Sequence, residues 1–207
     1  EIEGSSRINT KVTDNDSGEM TEFNGRGAQL SITELTDCST LIMEGLVADN
    51  TVVLSGSLPP GAPPETYRDL IENIQNQGAK VVVDSSGEPL KLALAAGPDL
   101  VKPNQQEAEE LLGKPLTTFG DAVSAVRNIS EQGAKEVILS LGKKGVLFLD
   151  ARGTMLFTKP PEVRALSTTG CGDTLVAGYL FGCQKNWSLQ ETAQYATAMA
   201  VGRAKID

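Results

Sequence analysis

The stretch "KVVVDSSGEPLKLALAAGPDLVKPNQQEAEELLG", residues 80–113, twice sets a short apolar run before an amphipathic segment. "KVVVDSS" (80–86) and "DLVKPN" (99–104) are strand-length, whereas "EPLKLALAAG" (88–97) and "QEAEELLG" (106–113) carry helical spacing and end on glycine. The rhythm extends in both directions. Upstream, "TVVLSGS" (51–57) precedes the helical "PPETYRDLIENIQNQG" (63–78); downstream, "FGDAVSAVRNISEQG" (119–133) leads into "EVILSLG" (136–142). Continuous apolar strands joined through helices predict an α/β fold, with a mostly parallel sheet covered on both faces.

Two segments depart from that rhythm. "GVLFLD" (145–150) and "TMLFTKP" (154–160), joined by "ARG", predict a hairpin, and helices over roughly 173–184 and 188–204 follow it. Near the start, "RINTKVTDNDSGEMTEFNG" (7–25) alternates polar and apolar residues around the turn-rich "DNDSG", which predicts an antiparallel pair exposed on one face. The sequence carries no internal repeat and no low-complexity tract.

Composition removes several classes of function. The 207 residues are 40% hydrophobic, enough for one sizeable core, and no segment has the roughly 18 continuous apolar residues of a membrane span. A net charge of -9 without clustered Lys and Arg argues against a nucleic-acid surface. There is no histidine, so a Ser/His/Asp triad and a histidine base are excluded, and a conventional zinc site is disfavoured. The three cysteines, Cys38, Cys171 and Cys183, lack ligand-like spacing and indicate a reducing compartment.

Ligands of open parallel sheets bind at the carboxyl ends of the strands. The polar tails "SGS" (55–57), "DSS" (84–86), "KPN" (102–104) and "SLG" (140–142) all fall there. A further motif, "STTGCGDTLVAGYLFG" (167–182), crowds small residues into a turn that opens an apolar helix. Bare backbone amides at a helix N-terminus bind phosphate or a developing phosphoryl charge, and bulky side chains at 170–172 would keep the anion away. Asp173 then stands where an acceptor could take the proton of an attacking hydroxyl, although a lone acid in a first turn also stabilises a helix by itself. Neither the P-loop pattern G-x-x-x-x-G-K-[ST] nor the dinucleotide pattern G-x-G-x-x-G occurs.

In order and spacing, "SGSLPPG" (55–61), "VDSSGEPL" (83–90), "LVKPNQQEAEEL" (100–111), "SLGKKG" (140–145) and "STTGCGDTLVAG" (167–178) resemble the PfkB, or ribokinase-like, family of sugar kinases. "SSRINTKV" (5–12), "GEMTEFNG" (18–25) and "KPPEV" (159–163) are most similar to its bacterial 1-phosphofructokinase branch. The resemblance implies a ribokinase-like three-layer αβα fold with part of a small β-lid. It also implies Asp173 as catalytic base and the amides of Gly170, Cys171 and Gly172 as anion hole. The family's usual G-A-G-D is G-C-G-D here, and Thr169 replaces a valine. Cys171 reads as a small buried filler whose backbone does the work.

By the same resemblance, Asn104 and Glu107 hold Mg2+ largely through water, and Lys102 lies near the phosphates of ATP; the plainer alternative is that Asn104 caps its helix and Glu107 joins the acidic face "EAEE". Ser140, Gly142 and Gly145 form the nucleotide-side loop, where Gly145 also reads as an ordinary turn residue. Arg7 grips the phosphate already on the sugar, a task suited to a guanidinium, and Ser57 contacts the same substrate.

The implied reaction is D-fructose 1-phosphate plus ATP to D-fructose 1,6-bisphosphate plus ADP. Kinases of tagatose 6-phosphate or fructose 6-phosphate share nearly every motif quoted. A non-catalytic sugar-phosphate or nucleotide-binding module is the alternative of another class, and the intact Asp173 argues against it. Partners are expected to be the sugar phosphate and ATP, with no nucleic acid or membrane and a possible homodimer through the β-lid in the full-length protein. Residues 1–25 are expected to be partial lid strands and 26–207 an incomplete kinase domain. Further sequence is expected before Glu1, for the first strands and the sugar site, and after Asp207, for the adenine pocket. The expected location is the cytoplasm.

Overall fold

The computed structural model describes residues 4–14, 20–163 and 165–205, without the side chains of Thr13 and Met20. Strands β1 (Asn9–Thr13) and β2 (Met20–Asn24) pair antiparallel as a separate two-stranded sheet, with Asn9 opposite Asn24. Lys11 faces Glu22 across the pair and binds it at 2.6 Å. Most of the "DNDSG" turn, residues 15–18, lies outside the described residues.

Helix α1 (Ile32–Glu44) follows and was not anticipated. It starts in a full capping box, with the Ser31 hydroxyl accepting from the Glu34 amide and the Glu34 carboxylate accepting from the Ser31 amide. The α/β part then runs β3 (Thr51–Ser55), α2 (Thr66–Asn76), β4 (Lys80–Asp84), α3 (Gly87–Ala95), β5 (Leu100–Val101), α4 (Gln105–Leu112), α5 (Phe119–Glu131), β6 (Glu136–Ser140), β7 (Val146–Leu149), β8 (Met155–Thr158), α6 (Cys171–Gln184) and α7 (Leu189–Ala204).

The six strands β3 to β8 lie in sequence order; β3 to β6 are parallel, and the hairpin β7–β8 closes the sheet antiparallel. Alternation along each strand splits the apolar residues between two cores, which is what makes the fold three-layered. Val81, Val83, Val101, Val137 and Leu139 join the larger core with helices α2, α3 and α5. Val82, Leu100, Ile138 and Phe148 face the other way, onto Leu175, Val176 and Tyr179 of α6 and Ala193 and Ala196 of α7.

Helices α6 and α7 meet along a seam of small residues. A Cβ on Gly178 would stand 2.8 Å from the Ala196 Cα, and one on Gly182 would stand 2.7 Å from the Thr192 hydroxyl. At the far side of this layer the Thr158 and Thr197 hydroxyls share a buried hydrogen bond of 2.7 Å, tying α7 to β8. No described helix is long and apolar enough to cross a membrane.

Candidate active site

The site forms around the turn that opens α6. Gly170 is the N-cap residue of that helix and takes the left-handed conformation, φ 78°, which glycine adopts at little cost. Its carbonyl accepts from the Thr174 amide at 2.9 Å and from the Thr174 hydroxyl at 2.7 Å. The Cys171 amide donates to the Thr168 carbonyl at a long 3.3 Å. Among the described residues, the amides of Gly170, Gly172 and Asp173 donate to no protein acceptor, so they are directed outward at the positive end of the helix. The small residues have a visible reason. A Cβ on Gly172 would come within 3.1 Å of Lys102 Nζ, and one on Gly170 within 3.3 Å of Arg203 Nε. Burial pushes the half-buried Cys171 thiol up, with Arg203 opposing it.

Parallel pairing sets the charges beneath the turn. Register places Val83 against Val101, which brings the next residues, Asp84 and Lys102, together at the strand ends. Lys102 Nζ binds the Asp84 carboxylate at 3.0 Å, with only 6% and 14% of the two side chains exposed. Burial holds the Asp84 carboxyl above the usual carboxylate range, Lys102 pulls it back, and the negative charge of Asp173 pushes it up again. Asp173 itself is exposed in the first turn of α6.

Asn104 and Glu107 form the capping box of α4. The Asn104 side chain accepts from the Glu107 amide at 2.9 Å, and the Glu107 carboxylate accepts from the Asn104 amide at 2.8 Å. Burial raises Glu107; the Asn104 amide and then Lys102 lower it, and Asp84 adds to the rise. Asp84 thus feels the charge of Asp173, and Glu107 feels that of Asp84. No three His, Cys, Asp or Glu side chains among the described residues are close enough to hold a metal directly. The carboxylates of Asp84 and Glu107 are hard oxygen donors, the kind that meet Mg2+ through its waters rather than as a direct cage.

Arg7 and Ser57, fifty residues apart, meet with Arg7 Nη1 donating to the Ser57 hydroxyl at 2.6 Å. The loop carrying Ser57 is fixed from below. The Gly56 amide donates to the Asp84 carbonyl at 2.9 Å, and the Gly56 carbonyl accepts from the hydroxyls of Ser85 at 2.9 Å and Tyr67 at 3.0 Å. Arg7 also lines a cleft of about 530 Å³ with Arg26, Leu58, Pro59 and Pro60.

On the other flank, Ser140 bridges to Asn104 in parallel, its amide donating to the Pro103 carbonyl at 3.1 Å. Gly142, left-handed at φ 58°, opens a 3₁₀ turn over 142–144, and Lys144 Nζ ties that turn to Gln105 at 3.2 Å. Gly145 is buried, and a Cβ there would collide with the Phe157 ring and stand 2.6 Å from the Thr158 carbonyl oxygen. Hairpin packing is therefore sufficient reason for this glycine. Asp84 and Arg203 were missed from the sequence: "VDSS" at a strand end could have pointed to the first, and nothing local marks the second.

Comparison with known proteins follows the same lines. A family model described as pfkB family carbohydrate kinase matches residues 1–202. Over 199 residues the chain is 37% identical to the 1-phosphofructokinase of Escherichia coli strain K12, covering 96% of this chain and 63% of that protein. It is 38% identical over 194 residues to the ATP-dependent 6-phosphofructokinase isozyme 2 of the same organism, covering 93% and 62%. The crystal structure of the phosphofructokinase-2 from Escherichia coli in complex with substrates and products matches with a TM-score of 0.87 at 37% identity, over 95% of this chain and 64% of that one. The chain spans somewhat less than two thirds of the length of these curated relatives.

Proposed function

This chain belongs to the pfkB family of carbohydrate kinases, and from that premise we propose that the protein it comes from phosphorylates D-fructose 1-phosphate with ATP, giving D-fructose 1,6-bisphosphate and ADP. The observation that carries the reading is the open turn at Gly170–Gly172, with Asp173 beside it and Lys102 beneath it.

Arg7 and Ser57 bind the phosphate already on the sugar and hold the 6-hydroxyl toward Asp173. Asp173 accepts the hydroxyl proton as the oxygen attacks the γ-phosphorus and the bond to the β-phosphate oxygen breaks. The outward amides of the turn receive the charge of the group in transfer, at the end of α6 whose dipole favours it. Lys102 and the loop at Ser140, Gly142 and Gly145 lie on the nucleotide side. Asn104 and Glu107 would hold Mg2+ through water, and the ion supplies charge neutralisation of the phosphates when bound.

The preference for fructose 1-phosphate rests on the similarity of "SRINTKV" and "TEFNG" to the 1-phosphofructokinase branch. Whole-chain identities of 37% and 38% do not separate it from a 6-phosphosugar kinase, which makes fructose 6-phosphate or tagatose 6-phosphate the second reading. On this reading residues 1–25 are part of a lid through which the full-length protein dimerises, 26–207 are the larger part of the kinase domain, and the protein works in the cytoplasm.

The test is Asp173→Asn in the full-length protein, assayed by coupled ADP release with all three phosphosugars. Turnover should fall by at least ~100-fold with ATP binding retained. Near-normal turnover returns Asp173 to helix capping, and a preference for a 6-phosphosugar in the unmodified protein overturns the substrate.

A further inference from the structure

The segment 25–30 is pinned at both ends. The Gly25 amide donates to the Ile8 carbonyl at 3.1 Å, next to Arg7, and the Leu30 amide donates to the Pro60 carbonyl at 2.8 Å. Arg26 lies between these fastenings and lines the same cleft of about 530 Å³ as Arg7. That volume falls within the roughly 300–1,000 Å³ of small-ligand sites. Residues 58–62, Pro64 and Pro89 complete the walls, and four of these wall residues are prolines, whose fixed φ leaves little backbone to reorder when a ligand enters.

The charge of this cleft runs against that of the chain. The protein carries a net charge of -9, yet two arginines and no carboxylate line the cleft. Among the described residues neither arginine forms an ion pair. Arg7 is held by the neutral Ser57 hydroxyl at 2.6 Å, and the side chain of the exposed Arg26 has no hydrogen-bond partner among the described residues. Lys11, on the neighbouring two-stranded sheet, is by contrast matched by Glu22 at 2.6 Å. An anion entering the cleft therefore meets two guanidiniums for which no described carboxylate competes.

We propose that Arg26 is a second phosphate-binding residue, which closes with Arg7 on the phosphate the sugar already carries and strengthens the preference for phosphorylated sugars. The proposal rests on the reading of this region as the sugar end of a kinase site. A phosphate monoester carries about -1.5 to -2 charge at pH 7, more than one guanidinium neutralises. Arg7, preset by Ser57, supplies direction; Arg26, with no internal bond to give up, supplies the second charge. The group it grips does not react, so the contact is equally strong in the ground and transition states. Its loss belongs in the sugar KM, with kcat spared.

The experiment compares Arg26→Gln and Arg26→Ala with Arg26→Lys in the full-length protein. Steady-state kinetics with fructose 1-phosphate, fructose 6-phosphate and tagatose 6-phosphate are read beside calorimetric binding of the same three compounds without ATP. For the preferred phosphosugar, Gln and Ala should raise both KM and Kd roughly 10-fold, the low end for a charge-assisted contact because Arg26 is exposed. They should leave kcat and the KM for ATP within about 2-fold. The loss should shrink between about 0.05 and about 0.5 M salt, where exposed charges are screened, and Lys should recover part of it. Unchanged phosphosugar binding in Gln and Ala overturns the proposal, as does a loss that the KM for ATP shares or that salt does not alter. Equal impairment by Lys and Gln overturns it as well. If the unmodified protein phosphorylates none of the three, the kinase reading fails, while calorimetry still decides whether Arg26 grips a phosphate; no binding of any of the three overturns this proposal too.

Discussion

Replacing Lys102 by methionine removes a charge and keeps the length and apolar stem of the side chain, so it isolates the pairing with Asp84. At 3.0 Å the attraction is about 5.5 kcal/mol for an effective dielectric of about 20. Desolvation of two groups only 6% and 14% exposed offsets much of this, so the pair itself contributes little net stability. Breaking it is another matter, because Asp84 is left buried beside Asp173, and such a loss costs about 3–5 kcal/mol. The predicted signature is a matching fall in unfolding free energy, measured by urea denaturation of the intact protein, that depends on pH. Asp84 already lies above the usual carboxylate range, and without Lys102 it rises further. A carboxyl raised in the folded state gives its full stability below its unfolded value, about 4, and loses it as pH rises through the folded value. The variant should therefore be closest to the unmodified protein near pH 4–5 and furthest from it at pH 8. Adding Asp84→Asn should recover at least ~2 kcal/mol at pH 8, since no buried charge then remains. A deficit under ~1 kcal/mol, or one that is flat with pH and additive with Asp84→Asn, would refute the reasoning.

Three further outcomes follow from the same geometry. Arg7→Ala should raise the KM for fructose 1-phosphate roughly 10- to 100-fold and leave the KM for ATP nearly unchanged, with Arg7→Lys recovering only part; equal losses for both substrates would indicate a structural defect. Glu107→Gln retains an oxygen for the Asn104 amide, so it should spare stability and raise the Mg2+ concentration needed for activity; an unchanged Mg2+ titration removes Glu107 from the metal site. Gly145→Ala places a methyl against Phe157 and the Thr158 carbonyl on a backbone with φ 135°, and should destabilise by about 1–3 kcal/mol in urea denaturation even without nucleotide; a neutral result would move its importance from packing to ligand binding.

The layers of the fold were legible because period-2 alternation is a local signal: Val81, Val82 and Val83 already separate into two faces before any tertiary contact is known. Helix α1 went unread for the converse reason. None of its described side chains is buried, Ile32 is 77% and Leu41 69% exposed, and only the Ser31 to Glu34 capping box marks its start. The turn at Gly170–Asp173 was legible as a helix opening because its small residues and its one acid fall within four positions. Asp84 was not, although it stands in a quoted motif, because its pairing with Lys102 depends on the register of two strands. Arg203 reaches the turn only through the antiparallel return of α7, thirty-odd residues downstream, and no spacing in the sequence encodes that approach.

The small-residue seam between α6 and α7 acts as a mechanical datum for the chemistry. Gly178 is five residues along α6 from Asp173, or about 7.5 Å along the axis. Since a Cβ on Gly178 would meet the α7 backbone at 2.8 Å, any added bulk has to be absorbed by displacing one helix as a body. Such a displacement carries the amides and the carboxylate at the head of α6 with it, and transfer chemistry tolerates misplacements of only about 1 Å before losing some two orders of magnitude in rate. On the kinase reading proposed above, the identity of position 178 is governed by alignment at the far end of its helix as much as by packing at its own.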